Sequence, residues 1–95
     1  MKLDWDEAKR ALVLQRRGLD FADAAKVFAA PVIETIDERN DYGEPRYVTL
    51  GSLDGVSVFI VWTQRDDCRR IITMWQANAA ERARYRRELG SGFHS

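Results

Sequence analysis

Val56-Ser57-Val58-Phe59-Ile60-Val61-Trp62-Thr63-Gln64 is the stretch that decides the fold. From Val58 to Trp62 every side chain is apolar, so both faces of an extended chain here need cover, and the run predicts a central strand. On its N-terminal side Asp54-Gly55 is a tight-hairpin signal leading back to Tyr47-Val48-Thr49-Leu50. On its C-terminal side Asp66-Asp67 offers a second turn into Ile71 to Gln76. The cluster of Asn, Asp, Gly and Pro between Asn40 and Pro45 separates a further run, Val32-Ile33-Glu34-Thr35-Ile36. Four strands in antiparallel meander follow, and Leu3 to Trp5 is a candidate short edge strand.

Helices flank these strands. Asp6 to Arg17 begins with acidic residues, ends at Gly18 and carries Ala8, Ala11, Leu12 and Gln15 on one stripe, which predicts a first helix laid against the sheet. Asp20 then precedes Phe21, Ala24, Ala25, Val27 and Phe28 at helical spacing, so a second helix should stop before Pro31. Asn78 with Glu81 resembles a capping box opening a last helix to Leu89, and Gly90 to Ser95 is expected to be a flexible tail. The expectation is α+β: two N-terminal helices and a C-terminal helix on a mainly antiparallel four-stranded sheet, with residues 1–89 as one domain and 90–95 as tail.

Length and composition narrow the classes. Ninety-five residues allow one domain, and 45% hydrophobic against 32% charged residues suits a folded chain rather than a disordered one. A single cysteine, Cys68, excludes an internal disulfide framework, and with only His94 beside it no zinc site of those types can form. Lys2, Asp4, Asp6, Glu7, Lys9 and Arg10 stand where a signal peptide needs an apolar run, and no stretch reaches the roughly 18 apolar residues of a membrane helix. A cytoplasmic protein with no membrane partner is expected.

The net charge of zero conceals polarity. Residues 1–30 hold six basic and five acidic side chains (+1), residues 31–64 two and six (−4), and residues 65–95 seven and four (+3). All seven cations of the last third are arginines, the side chain suited to bidentate phosphate contact. Arg82, Arg84, Arg86 and Arg87 read either as a solvated helix face or as a ligand surface. Arg65, Arg69 and Arg70 are forced together by a short turn between strands, which leaves two readings: an anion site, or local pairing with Asp66 and Asp67. Arg46 opens another strand and can join the same surface. No glycine-rich phosphate loop, nucleophile elbow or histidine pair occurs. Cys68 reads as an incidental thiol and Trp5 and Trp62 as core, while Trp75 beside the basic strand end could equally stack on a base.

Taken in order, several pieces resemble the BrnT family of type II toxin–antitoxin toxins, small ribonucleases with a RelE-like fold. The carriers are Trp5-Asp6-Glu7-Ala8-Lys9, Arg17-Gly18-Leu19-Asp20-Phe21 with Ala24 and Val27-Phe28, Gly43-Glu44-Pro45-Arg46, and Arg70-Ile71-Ile72-Thr73 leading through Ala77 to Glu81-Arg82 and Tyr85. The chain departs from the family pattern at Val13 and Arg17, where Asn and His are common, and at Thr73-Met74-Trp75, where Ser-Ala-Arg is common.

The resemblance implies an mRNA substrate, no cofactor or metal, a cognate BrnA-type antitoxin, and operator DNA contacted only through that antitoxin. Cleavage of this kind needs the 2′-hydroxyl deprotonated, the phosphorane charge stabilised and the 5′-oxygen protonated. Arg46, Arg65, Arg70 and Lys9 are the catalytic candidates. Arg17, Tyr47, Arg69, Thr73 and Trp75 are the candidates for contacting RNA or antitoxin, with Tyr47 also a proton-transfer candidate. The substitutions at Arg17 and Trp75 keep a second reading open: a catalytically weakened member that serves as an antitoxin-binding module.

Overall fold

The computed structural model describes residues 1–37, 43–84 and 87. Its strands are β1 (Lys2–Trp5), β2 (Ile33–Asp37), β3 (Arg46–Leu53), β4 (Val56–Arg65) and β5 (Cys68–Gln76), in the spatial order β1-β5-β4-β3-β2. The apolar run thus lies in the middle strand, as its composition predicts. Asp54 and Gly55 both take positive φ, 52° and 83°, the geometry a two-residue hairpin loop needs to match strand twist. At the turn from β4 into β5 one loop residue, Asp66, takes positive φ, 56°.

The sheet has five strands rather than four. β1 pairs parallel with β5, from Lys2 opposite Cys68 to Trp5 opposite Ile71, and so makes the sheet mixed. The other pairings are antiparallel. A three-residue alternation cannot reveal a partner this far along the chain. The outer edge of β5 otherwise leaves backbone donors and acceptors open, and β1 satisfies them from Cys68 to Ile71 only.

The first helix, α1 (Glu7–Arg17), starts where the Asp6 side chain accepts from the Lys9 N–H and ends where left-handed Gly18 donates to the Leu14 carbonyl. The expected second helix is broken in two. A 3₁₀ turn at Phe21–Asp23 precedes the five-residue α2 (Ala24–Phe28). Asp20 imposes that tight turn: its carboxylate accepts from Ala22 and its carbonyl from Asp23, while Arg10 clamps both carboxylate oxygens at 2.7 and 3.1 Å. A second correction concerns α1. Ala8, Ala11, Leu12 and Gln15 are exposed, and Val13 is the one fully buried residue of the helix. Asn78 and Glu81 form the expected reciprocal cap, at 2.7 and 3.2 Å, and residues 79–84 are helical. The remaining reach to Leu89 and the tail fall mostly or wholly outside the described residues.

Both sheet faces are apolar at their centres. Phe21, Ala24, Val27 and Val13 pack with Leu53, Val58, Ile60, Trp62, Ile71 and Met74 on one face. Gly51 is what lets α2 approach, since a Cβ there would stand 2.5 Å from the Val27 Cγ1. Val48, Leu50, Phe59, Val61 and Ala77 form a second cluster on the other face, flanked by Ile33, Ile72 and Trp75. A bulge at Ile72 separates the Val61–Thr73 pair from the Trp62–Ile71 pair and reverses the face that each later β5 side chain meets. Among the described residues no helix is long and apolar enough to cross a membrane.

Candidate functional site

Cross-strand register sets one row of side chains across all five strands. Asp37 on β2 stands opposite Arg46 on β3, Arg46 adjoins Thr63 on β4 by continuation of the β3–β4 ladder, Thr63 pairs with Arg70 on β5, and Arg70 pairs with Asp4 on β1. Register partners share a face, so two guanidinium groups flank a central hydroxyl and carboxylates stand at both ends. Arg46 and Arg70 are two strands apart, about 10 Å between Cα atoms. Arg65 lies on this face as well, two residues beyond Thr63.

Two cations of this face are already in contact with carboxylates. Arg70 meets Asp4 at 2.8 Å and Arg65 meets Glu44 at 3.1 Å. These partners come from other elements, not from the adjacent Asp66 and Asp67 that the sequence offers. Hydrogen bonding from Arg70 holds the Asp4 carboxyl below its usual range, and the charge of Arg65 adds to the effect. Both pairs are partly exposed, so solvent screens them and an incoming anion can exchange with the carboxylate at small cost.

Lys9 belongs to the same electrostatic neighbourhood. Partial desolvation lowers its ammonium below the ordinary lysine range, and the charges of Arg46 and Arg17 lower it further against the opposing effect of Asp6. Arg17 reaches from the end of α1 to the unpaired half of β5, donating to the Thr73 hydroxyl at 3.1 Å and the Met74 carbonyl at 2.8 Å. Thr73 is on the face of the row, opposite Val61. Trp75 shares this face farther along, tilted on Phe59 at 5.2 Å with its indole N–H directed to Glu81 at 3.3 Å.

Two expected site residues are elsewhere. Arg69 and Tyr47 project from the opposite face, where Tyr47 stacks on Trp62 at 4.7 Å. The Arg69 guanidinium lies 4.0 Å from the Phe28 ring centre and 5.0 Å from that of Trp62, with its Nε buried and without a hydrogen-bond partner. This is a cation packed on aromatic faces. A cavity of about 350 Å³ bounded by Pro45, Tyr47, Thr63, Gln64 and Asp66 opens at the end of the sheet beside the row.

Asp4, Thr63 and Glu44 are site neighbours that the sequence reading does not single out. The Leu3-Asp4-Trp5 alternation is the one signal for Asp4, since it sets the carboxylate on the face opposite two apolar neighbours. Burial and Asp67 push the Cys68 thiol up, away from a reactive thiolate. Among the described residues no group of three or more His, Cys, Asp or Glu side chains is placed to hold a metal ion.

Fold and site together define a small α+β domain whose mixed sheet presents clustered guanidinium groups on one face, an arrangement suited to a polyanion. Comparison with protein families makes the class specific. Residues 5–81 match the family described as ribonuclease toxin, BrnT, of type II toxin-antitoxin system, and the chain belongs to that family. Comparison with curated proteins gave no match.

Proposed function

We propose that this toxin-family chain is an endoribonuclease that cleaves mRNA in the cytoplasm with guanidinium electrostatics in place of a protein-held metal, and that a BrnA-type antitoxin neutralises it and alone contacts operator DNA. The observation that carries the reading is the row Arg46–Thr63–Arg70 on one face, with Arg65 beside it. A phosphate exchanging with the Asp4 carboxylate is gripped by Arg70 and Arg65, and Arg46 stabilises charge developing on the phosphorane. Lys9, held below the ordinary lysine range, is the proton-transfer group. Thr73, with Arg17 fixed to it, borders the path of the strand.

Purified Arg46→Ala and Arg70→Ala proteins should each lose about 10²–10³ in RNA cleavage, the usual effect of removing one preorganised donor. Their far-UV circular dichroism should be unchanged. Full cleavage in both variants overturns the assignment. Lys9→Met should remove one limb of the pH–rate profile.

A second reading, an antitoxin-binding module with weakened catalysis, draws support from Arg17 and Trp75. Both are engaged internally, Arg17 with Thr73 and Met74 and Trp75 with Glu81. Expression without the partner separates the readings. Growth arrest with shortened mRNA supports the nuclease, whereas normal growth with tight antitoxin binding supports the module.

A further inference from the structure

Arg46 stands at the point where the backbone ladder between β3 and β4 gives out. The paired register runs from Leu53 opposite Val56 to Tyr47 opposite Trp62, and Arg46 is one residue beyond it. On its other side Arg46 pairs with Asp37, itself the last residue of β2. The guanidinium on which the proposed cleavage depends is thus carried by a strand end, where a few contacts set position and no full ladder does.

Side chains of β4 take over where the ladder stops. The Thr63 hydroxyl donates to the carbonyl of Pro45 at 2.6 Å, and Arg65, two residues on, meets the carboxylate of Glu44 at 3.1 Å. Both contacts fall on the two residues immediately before Arg46. They are not equivalent. The side chains of Arg65 and Glu44 are 52% and 30% exposed, and theirs is a pair with which an incoming phosphate exchanges. The Thr63 contact is neutral and its side chain fully buried, so it persists when that exchange occurs.

Packing does not secure this joint in its place. The cavity of about 350 Å³ is bounded by Pro45, Tyr47 and Thr63, so the chain before Arg46 has room to move once the hydroxyl is removed. Pro45 has no N–H, which leaves its carbonyl as the one backbone group through which it can be held. A hydroxyl has a single proton to donate, and that of Thr63 is committed to this carbonyl. Buried as it is, the side chain has no surface to offer a substrate.

We propose that Thr63 is a positioning residue for RNA cleavage: its hydroxyl fixes the Pro45 carbonyl and through it the place of Arg46 in the row, without itself touching RNA. The inference rests on the nuclease reading and deepens it. Arg46 acts on the charge of the phosphorane, whereas Arg70 and Arg65 grip the ground-state phosphate. Loss of the Thr63 contact should therefore appear in kcat and spare KM.

The test is cleavage of a single-stranded RNA oligonucleotide by the full chain, for the parent, Thr63→Val, Thr63→Ser, Arg46→Ala and the double variant of Thr63→Val with Arg46→Ala. Valine keeps the shape of threonine and removes the hydroxyl. Thr63→Val should lower kcat about 10–100-fold, the order expected when a reacting group is displaced by about 1 Å, with KM nearly unchanged. Thr63→Ser should recover most of the loss. In the Arg46→Ala background Thr63→Val should have almost no further effect, because the group it positions is gone. Thr63→Ala replaces the valine variant if that protein does not fold. A Thr63→Val protein with the parent kcat overturns the proposal and leaves the nuclease assignment intact. A loss of equal size with and without Arg46 overturns it too, since the effect is then a general one on the fold. A parent that cleaves no RNA overturns the nuclease reading and this inference together.

Discussion

Arg70 and Asp4 are direct register partners across the parallel β5–β1 ladder, and Nη1 of the arginine meets Oδ2 of the carboxylate at 2.8 Å. The contact joins the start of the chain to its last strand and fixes one end of the charged row. It also leaves most of the guanidinium donors of Arg70 free for another acceptor, since a single nitrogen is committed to Asp4.

Acid should destabilise the fold through a small set of carboxylates. Arg70 lowers Asp4, Arg10 lowers Glu7, and Arg10 lowers Asp20, in each case mainly by hydrogen bonding. A carboxyl lowered in the folded state contributes stability that is present above its unfolded value of about 4 and lost as pH falls through the folded one. Melting temperature should therefore be nearly flat from pH 7 to about 5 and fall below about 4. Asp20→Asn should reduce stability near neutrality and flatten that acid limb; a limb of unchanged steepness would refute the assignment.

Gly51→Ala should be costly despite its small size. The new methyl would stand 2.5 Å from Val27 Cγ1 and 3.0 Å from Val32 Cγ1, so α2 has to shift outward. Overpacking of this kind costs about 1–3 kcal/mol. At about 4–8 °C per kcal/mol for a domain of this size, the melting temperature should drop visibly. Val27→Ala in the same background should recover part of the loss, and simple additivity of the two changes would count against the contact.

Thr49→Val should expose the dependence of Trp62 on one hydroxyl. The buried indole N–H donates to Thr49 Oγ1 at 2.9 Å, and that hydroxyl donates to Glu34 at 2.8 Å. Valine keeps the shape and leaves the buried donor unsatisfied, at about 1–3 kcal/mol. Thr49→Ser should retain most of the stability in denaturant unfolding.

Arg69→Ala should behave differently from its neighbour Arg70. Its guanidinium is packed on Phe28 and Trp62, on the face away from the row. Loss of the cation–aromatic contacts should cost about 0.5–2 kcal/mol in unfolding experiments. RNA affinity measured well below the melting temperature should change little; a loss as large as that of Arg70→Ala would return Arg69 to the site.

The central strand is legible in the sequence because five apolar residues in succession leave no solvent face at all. Asp54-Gly55, Gly18 and the Asn78–Glu81 pair are legible for the same kind of reason: each states a local geometry that few residues can adopt or cap. The edge strand at Leu3 to Trp5 is legible as a candidate, but its parallel pairing with β5 is not, since the partner is remote and no turn announces it. Nor is the orientation of α1, because a helical wheel shows two faces without saying which one the sheet covers.

The division of the arginines is hidden by the bulge. Counting back by twos from Trp75 and Thr73 puts Arg69 on their face, but the extra residue Ile72 moves Arg70 there and sends Arg69 through the sheet. A one-residue irregularity thus decides which of two adjacent arginines meets the row. The charge segregation itself is visible in the composition of the last third, whereas Glu44 and Asp4 as its partners depend on register alone.

The pairing of β1 with β5 also sets the order in which the sheet can assemble. A chain emerging from the ribosome delivers Asp4 well before the strand that receives it, which ends at Gln76, so β1 waits unpaired while the strands between are made. The charged row therefore closes only after β5 has been made. A product that stops short of β5 carries Arg46 but lacks the ladder that brings Arg70 into the same row.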